Sequence, residues 1–196
     1  MTPPRMIALL ATASALATIS GSFASAADTT QLHAGGGEIA FPERYAAGVM
    51  YATFDHPASM KPSLAGLENT AQYHKHYATA ATIKALRSGE PTPSGSVITV
   101  VRYRAKLDEQ GNPIRHENGR FVKGDLLGFS VMEKRTGWGA EYSPEIRNGE
   151  WEFQEFTAEG KPNDNVNLVA CMQCHRSQAS RDFLFTFNKI KAAFAK

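Results

Sequence analysis

The chain has two cysteines, and they stand three apart in one pentapeptide, Cys171-Met172-Gln173-Cys174-His175. No other feature constrains the chain as much. Cys-x-x-Cys-His is the attachment signature of c-type haem. Each sulfur forms a thioether to a haem vinyl group, and the histidine that follows reaches the iron as proximal ligand. The motif therefore expects one covalently attached haem c per chain, held by Cys171 and Cys174, with His175 on the metal. It leaves no cysteine for a disulfide framework. A bare Cys-x-x-Cys redox pair is the rival reading, and the histidine directly after the second cysteine argues against it.

The other end of the chain says where such chemistry takes place. Met1 to Arg5 is short and carries one positive charge. Met6 to Ile19 is mostly Ala, Leu, Ile, Ser and Thr, and Ala24-Ser25-Ala26 has the small-x-small pattern of a cleavage site. Residues 1–26 read as a secretory signal peptide. The apolar run is too short and too rich in alanine for a membrane anchor. Covalent haem attachment outside the cytoplasm fits export and points to a bacterial periplasm. The formal net charge is +2, and removing Arg5 brings the chain closer to neutral. No basic field of the kind that binds nucleic acid is present. Residues 27–40, with Gly35-Gly36-Gly37, read as a flexible lead-in. Residues 41–196 have the length of one domain with one core.

Within that domain, Phe41 to Tyr45 predicts a short helix with Pro42 near its first turn. Val49 to Phe54 predicts a strand, and Asp55 to Gly66 a loop. Tyr73, Tyr77, Ala80, Ile83 and Leu86 recur at spacings of three and four. They predict one helix from Asn69 or Thr70 to about Leu86, ended by Gly89 and the prolines beyond it. On that helix His74 and His76 point to different faces and read as surface or partly buried residues. Val97 to Lys106 alternates as a strand. Val97, Thr99, Val101 and Tyr103 form one face, and Ile98, Val100, Arg102 and Arg104 the other. Gly119 to Glu133 predicts a long strand or hairpin arm. Trp151 and Phe153 face inward on a further strand, and the loop 160–167 delivers the haem motif. Phe183, Phe187, Ile190 and Phe194 share one helical face beyond it. The expected class is α+β: an antiparallel sheet with flanking helices and a C-terminal haem-attachment helix.

Several stretches, in this order and spacing, resemble the cytochrome P460 family, which includes the cytochromes c′-beta. They are Phe41-Pro42-x-x-Tyr45 with Val49-Met50, and Gly95-Ser96-Val97 opening a strand. Gly119-x-Phe121 follows, with Gly124-Asp125-x-x-Gly128 and Gly149-x-Trp151 with Phe153 and Phe156. The last is the haem pentapeptide followed by Phe183 to Phe187. The resemblance implies a haem held against an antiparallel sheet, in a homodimer, with His175 proximal and the opposite iron face open. The family holds two chemistries. P460 proteins oxidise hydroxylamine, with a lysine crosslinked to the porphyrin and a distal carboxylate. The c′-beta members lack the crosslink, have an apolar distal side and bind nitric oxide or carbon monoxide.

The chain departs from the P460 pattern at both places. The crosslinking lysine corresponds to Val100 and the distal carboxylate to Ser130. Lys106 shares the strand parity of Val100 but lies too far along it. Glu133 is three residues from Ser130 and so faces the other way, and Asp125 reads as structural. The expectation is thus an open iron site of the c′-beta kind, binding nitric oxide or a similar small molecule and exchanging electrons with a partner protein. Phe54, Leu127 and Phe129 are the candidate apolar lining, beside Val100 and Ser130. Arg102 and Arg104 are candidate propionate contacts. Met50, Met60 and Met132, or His56 and His116, are chemically able to fill the sixth position and would make the protein a plain electron carrier. Hydroxylamine oxidation stands as the alternative activity.

Overall fold

The computed structural model describes residues 39–59 and 69–193. The expected signal segment, most of the lead-in, Met60 and Phe194 lie outside the described residues. After a 3-10 turn at Tyr45–Ala47, the chain forms β1 (Val49–His56), β2 (Gln72–Ala78), α1 (Ala80–Ser88), β3 (Ser96–Ala105), β4 (Lys123–Lys134) and β5 (Trp151–Phe156). Two C-terminal helices follow, α2 (Leu168–Arg176) and α3 (Phe187–Ala193). The five strands make one sheet in sequence order, every neighbouring pair antiparallel. The expected α+β class is therefore what the chain adopts.

One expected element is overturned. The helix read from residue 69 to 86 is two elements: β2, and then α1. A spacing of four residues, as between Tyr73 and Tyr77, keeps two side chains on one side of a helix and of a strand alike. Pairing decides it, because β1 and β3 flank β2 and satisfy its backbone on both edges. The helix begins only at Thr79, whose hydroxyl oxygen accepts the N–H of Thr82 at 3.4 Å as an N-cap. It ends at Gly89 in the left-handed conformation, φ 76°, as the glycine predicts. On a strand His74 and His76, two apart, share one face. The earlier reading of them on opposite faces falls with the helix.

The alternation of β3 holds. Ile98 packs on one side with Ala78, Met132, Trp151, Phe153, Leu168, Met172, Leu184 and Ile190, beneath the helices. Val97, Val101 and Tyr103 pack on the other with Phe129, Val131 and Phe156, under the N-terminal segment from Ile39 to Tyr45. Trp151 and Ile190 are wholly buried, so β5 and α3 close the helix-side core, but Phe183 lies in a left-handed turn before α3 rather than on the expected helical face. An extra residue in β1 turns Tyr51 to the same side, where its hydroxyl meets Thr186 at 3.0 Å. Burial pushes the Tyr51 phenol up to about 12, against that hydrogen bond.

Candidate haem site

The helix-side face of the sheet is apolar at one end and polar at the other. Reading across the strands, Ala52, His76, Val100, Ser130 and Glu155 form one transverse row. The next row holds Phe54, His74, Arg102 and Gly128. Val100, Ser130 and Arg102 are therefore brought together, and Phe54 joins them, its ring 4.7 Å from that of His76.

One expected lining residue is placed elsewhere, and another falls at an irregular position in β4. Phe129 is adjacent to Ser130 and so points the opposite way; its ring packs at 4.9 Å from Phe41 and 5.3 Å from Tyr45 beneath the N-terminal segment. Leu127 is the unpaired residue where the β3–β4 register slips between Arg102 and Tyr103. Arg104 follows the parity of Arg102 but lies exposed. His116 sits exposed on the hairpin between β3 and β4, Met50 is half exposed, and Met132 belongs to the helix-side core. A shallow cleft of about 850 Å³ lined by Thr53, Tyr73, Lys75, Arg115, Arg120 and Lys123 opens on the other face of the sheet.

Cys171 and Cys174 are free and lie three apart on α2, which puts them on one side of the helix. Leu168 and Met172 are buried on the adjoining side, and Cys171 packs against the same core. Asn148, fully buried, donates from Nδ2 to the Met172 carbonyl at 3.0 Å and fixes the helix from below. Burial pushes the Cys171 thiol up to about 11, so it stays protonated at neutral pH.

His175 closes α2. Its Nδ1 lies 2.8 Å from the carbonyl of Phe183. A carbonyl only accepts, so Nδ1 carries the proton and Nε2 keeps its lone pair. The ring stands edge-on between Phe153 and Phe185, each 5.0 Å away, and Phe185 is half exposed. Burial lowers the imidazole below the ordinary histidine range, against the pull of the Phe183 carbonyl. A neutral imidazole with its second nitrogen pinned is the form that ligates a metal.

The polar end carries the rest. Arg102 and Glu155 make a buried ion pair, Nη2 to Oε2 at 2.5 Å, with side chains 2% and 6% exposed. The arginine reaches across Gly128, where a Cβ would stand 2.3 Å from the Phe156 carbonyl oxygen and 3.5 Å from Nη2. Burial raises the Glu155 carboxyl above the usual range, opposed by Arg102 and by the Ser130 hydroxyl. His74 donates from Nε2 to Gln72 Oε1 at 3.0 Å. Burial, with the charges of His76, His56 and Arg102, pulls His74 down to about 3. Burial and Lys189 do the same to His76, also to about 3. Lys189 of α3 lies 3.8 Å over the Phe54 ring. Six nitrogens on this face are buried with no partner in the protein: His56 Nδ1, Gln72 Nε2, both of His76, and Arg102 Nε and Nη1. Buried polar groups are ordinarily paired, so this wall is shaped to meet a polar group. Among the described residues no three or more His, Cys, Asp or Glu side chains are arranged to hold a bare metal ion.

These groups fit a haem. Two thiols on one helix side, a neutral imidazole with Nε2 free to ligate and aromatic rings around it suit an apolar macrocycle. Arg102 and Gln72 present donors of the kind a propionate accepts from. The family model described as Cytochrome P460 matches residues 42–186, from the Phe41-Pro42 segment past the haem pentapeptide. The chain belongs to the cytochrome P460 family and is a haem-binding cytochrome. No curated protein matches it.

Sequence reasoning missed two groups here. Glu155 comes from β5, and only the register shows that it stands directly across from Ser130. The His74–His76 pair was hidden by the helical reading of β2.

Proposed function

We propose that this chain is an exported mono-haem c-type cytochrome that takes nitric oxide or a similar small nitrogen-oxide ligand at an open iron face. One observation carries this reading: Nδ1 of His175 is committed to the Phe183 carbonyl, beside two free thiols on the same helix. Cys171 and Cys174 hold the group covalently and His175 is its proximal ligand. When bound, haem supplies a redox-active iron that accepts small neutral molecules. Phe54 and Val100 line the approach, and Arg102 donates to a propionate. Export to the periplasm, a homodimer and electron exchange with a partner protein complete the reading. Among the described residues no helix is long and apolar enough to cross a membrane.

A second reading has a specific observation behind it. Hydroxylamine oxidation needs a proton acceptor, which Ser130 does not provide. Glu155 does, with a raised carboxyl on the same row. The test is a pair of assays on purified holoprotein: equilibrium titration of the reduced protein with nitric oxide, and hydroxylamine turnover with a chemical electron acceptor. Saturable nitric oxide binding without turnover supports the first reading. Turnover that is lost in Glu155→Gln supports the second and overturns the first.

A further inference from the structure

The contact between His175 and Phe183 rests on backbone that side-chain-bearing residues rarely adopt. Asp182 and Phe183 both have positive φ, 50° and 61°. Such backbone is sterically disfavoured for residues that carry a side chain, and two in succession persist only where the surroundings hold them. Those surroundings are built from three directions. Lys134 at the end of β4 donates from Nζ to Asp182 Oδ1 at 3.0 Å and to Oδ2 at 3.3 Å. The N–H of Thr92 donates to Oδ2 at 3.3 Å, and the Thr92 hydroxyl donates to the same oxygen. Lys134 also reaches the Thr92 hydroxyl oxygen at 3.3 Å. The side chains of Lys134 and Asp182 are 12% and 19% exposed, so solvent screens this pair only partly. On the far side the Phe183 ring lies against Gly149, where a Cβ would come within 3.1 Å of it. Within the ring of contacts the Phe183 N–H is also tied, to the Gln178 carbonyl at 2.9 Å.

We propose that the Lys134–Asp182 ion pair, braced by Thr92, is the positioning device for the iron ligand. It holds the 182–183 backbone so that the Phe183 carbonyl keeps the His175 Nδ1 proton, and so sets how strongly Nε2 donates to iron. This rests on the haem reading of His175. A hydrogen bond from Nδ1–H to a carbonyl makes the imidazole a more basic ligand, which favours the ferric state. Weakening it shifts the iron toward the ferrous state and softens the iron–imidazole bond.

The test uses holoprotein carrying Lys134→Met, with Thr92→Val as a milder variant should the first fold poorly. The control is Glu133→Gln, which breaks the neighbouring Arg135–Glu133 pair at 2.6 Å on the opposite sheet face. Two readouts are taken: the iron–imidazole stretch of the ferrous protein by resonance Raman, and the ferrous-to-ferric ratio against a reference dye. The proposal expects the stretch to fall in frequency and the ratio to rise several-fold in Lys134→Met and Thr92→Val, with the control unchanged. If both variants lower the melting temperature but leave both readouts at the wild-type values, the pair is merely structural and the proposal is overturned. A wild-type protein with no iron–imidazole mode overturns the open-face reading of the iron on which this proposal rests, and this proposal with it.

Discussion

Replacing Arg102 by methionine tests the polar end of the site most severely. The guanidinium and the Glu155 carboxylate meet at 2.5 Å with almost no solvent around either. At an effective dielectric of about 20, unit charges about 4 Å apart attract by ~4 kcal/mol. Methionine fills a similar volume but leaves Glu155 buried with the Ser130 hydroxyl as its remaining aid. Breaking a buried pair by removing one partner costs ~3–5 kcal/mol. The penalty depends on pH. Burial raises the Glu155 carboxyl, and Arg102 is its largest opposing influence, so the variant raises it further. An acid whose folded pKa is raised is least costly below its unfolded value and most costly once pH passes the folded value. Urea unfolding of the holoprotein, followed by far-ultraviolet circular dichroism, should therefore show a loss of ~3–5 kcal/mol at about pH 8. The loss should be clearly smaller at about pH 5. Arg102→Met with Glu155→Leu should recover most of it, since a packed apolar pair commonly matches a buried ionic one. A loss below about 1 kcal/mol at both pH values, with no recovery in the double variant, would refute the burial argument.

Three further outcomes follow from named contacts. Gly128→Ala, at φ 145° with a Cβ 2.3 Å from a backbone oxygen, should cost at least about 2 kcal/mol in the same unfolding assay. His74 is held down to about 3 against an ordinary 6.5. A base lowered on folding contributes stability above 6.5 that is lost as pH falls toward 3, with a slope of at most ~1.4 kcal/mol per pH unit. His74→Gln should flatten acid unfolding in that window, although His76, His56, Lys189, Arg102 and Glu155 also face the site. Cys171→Ser should leave a haem joined through Cys174 alone, read as a changed pyridine haemochrome band.

Much of the fold was legible because period-two alternation is unambiguous where it runs long. Val97 to Arg104 shows both faces of β3, and Trp151 with Phe153 shows the inward side of β5. Gly89 marks the end of α1 as a left-handed cap, whereas the N-cap is Thr79 and not Asn69 or Thr70. What misled was a spacing of four, which Tyr73 and Tyr77 share with either periodicity. No clean alternation marks Gln72 to Tyr77 as a strand, and its pairing with β1 and β3 is what decides it. The pentapeptide is read directly from the chain, and the haem-attachment role of its cysteines and histidine belongs to the proposed function. Phe129 was mistaken for lining although its neighbour Ser130 was placed there too, and adjacent strand residues cannot share a face. Glu155 was beyond reach, because which residue of β5 stands across from Ser130 is decided by cross-strand register. The clamp on Phe183 was equally hidden, since Thr92, Lys134 and Asp182 meet only in three dimensions.

The central claim is a haem c on His175 with its opposite iron face open. Its most direct test is the optical spectrum of purified holoprotein, oxidised and reduced, before and after nitric oxide. A high-spin c-type spectrum that changes on adding nitric oxide to the reduced protein is the result this account predicts. A low-spin reduced spectrum indifferent to nitric oxide would contradict it and leave a six-coordinate electron carrier.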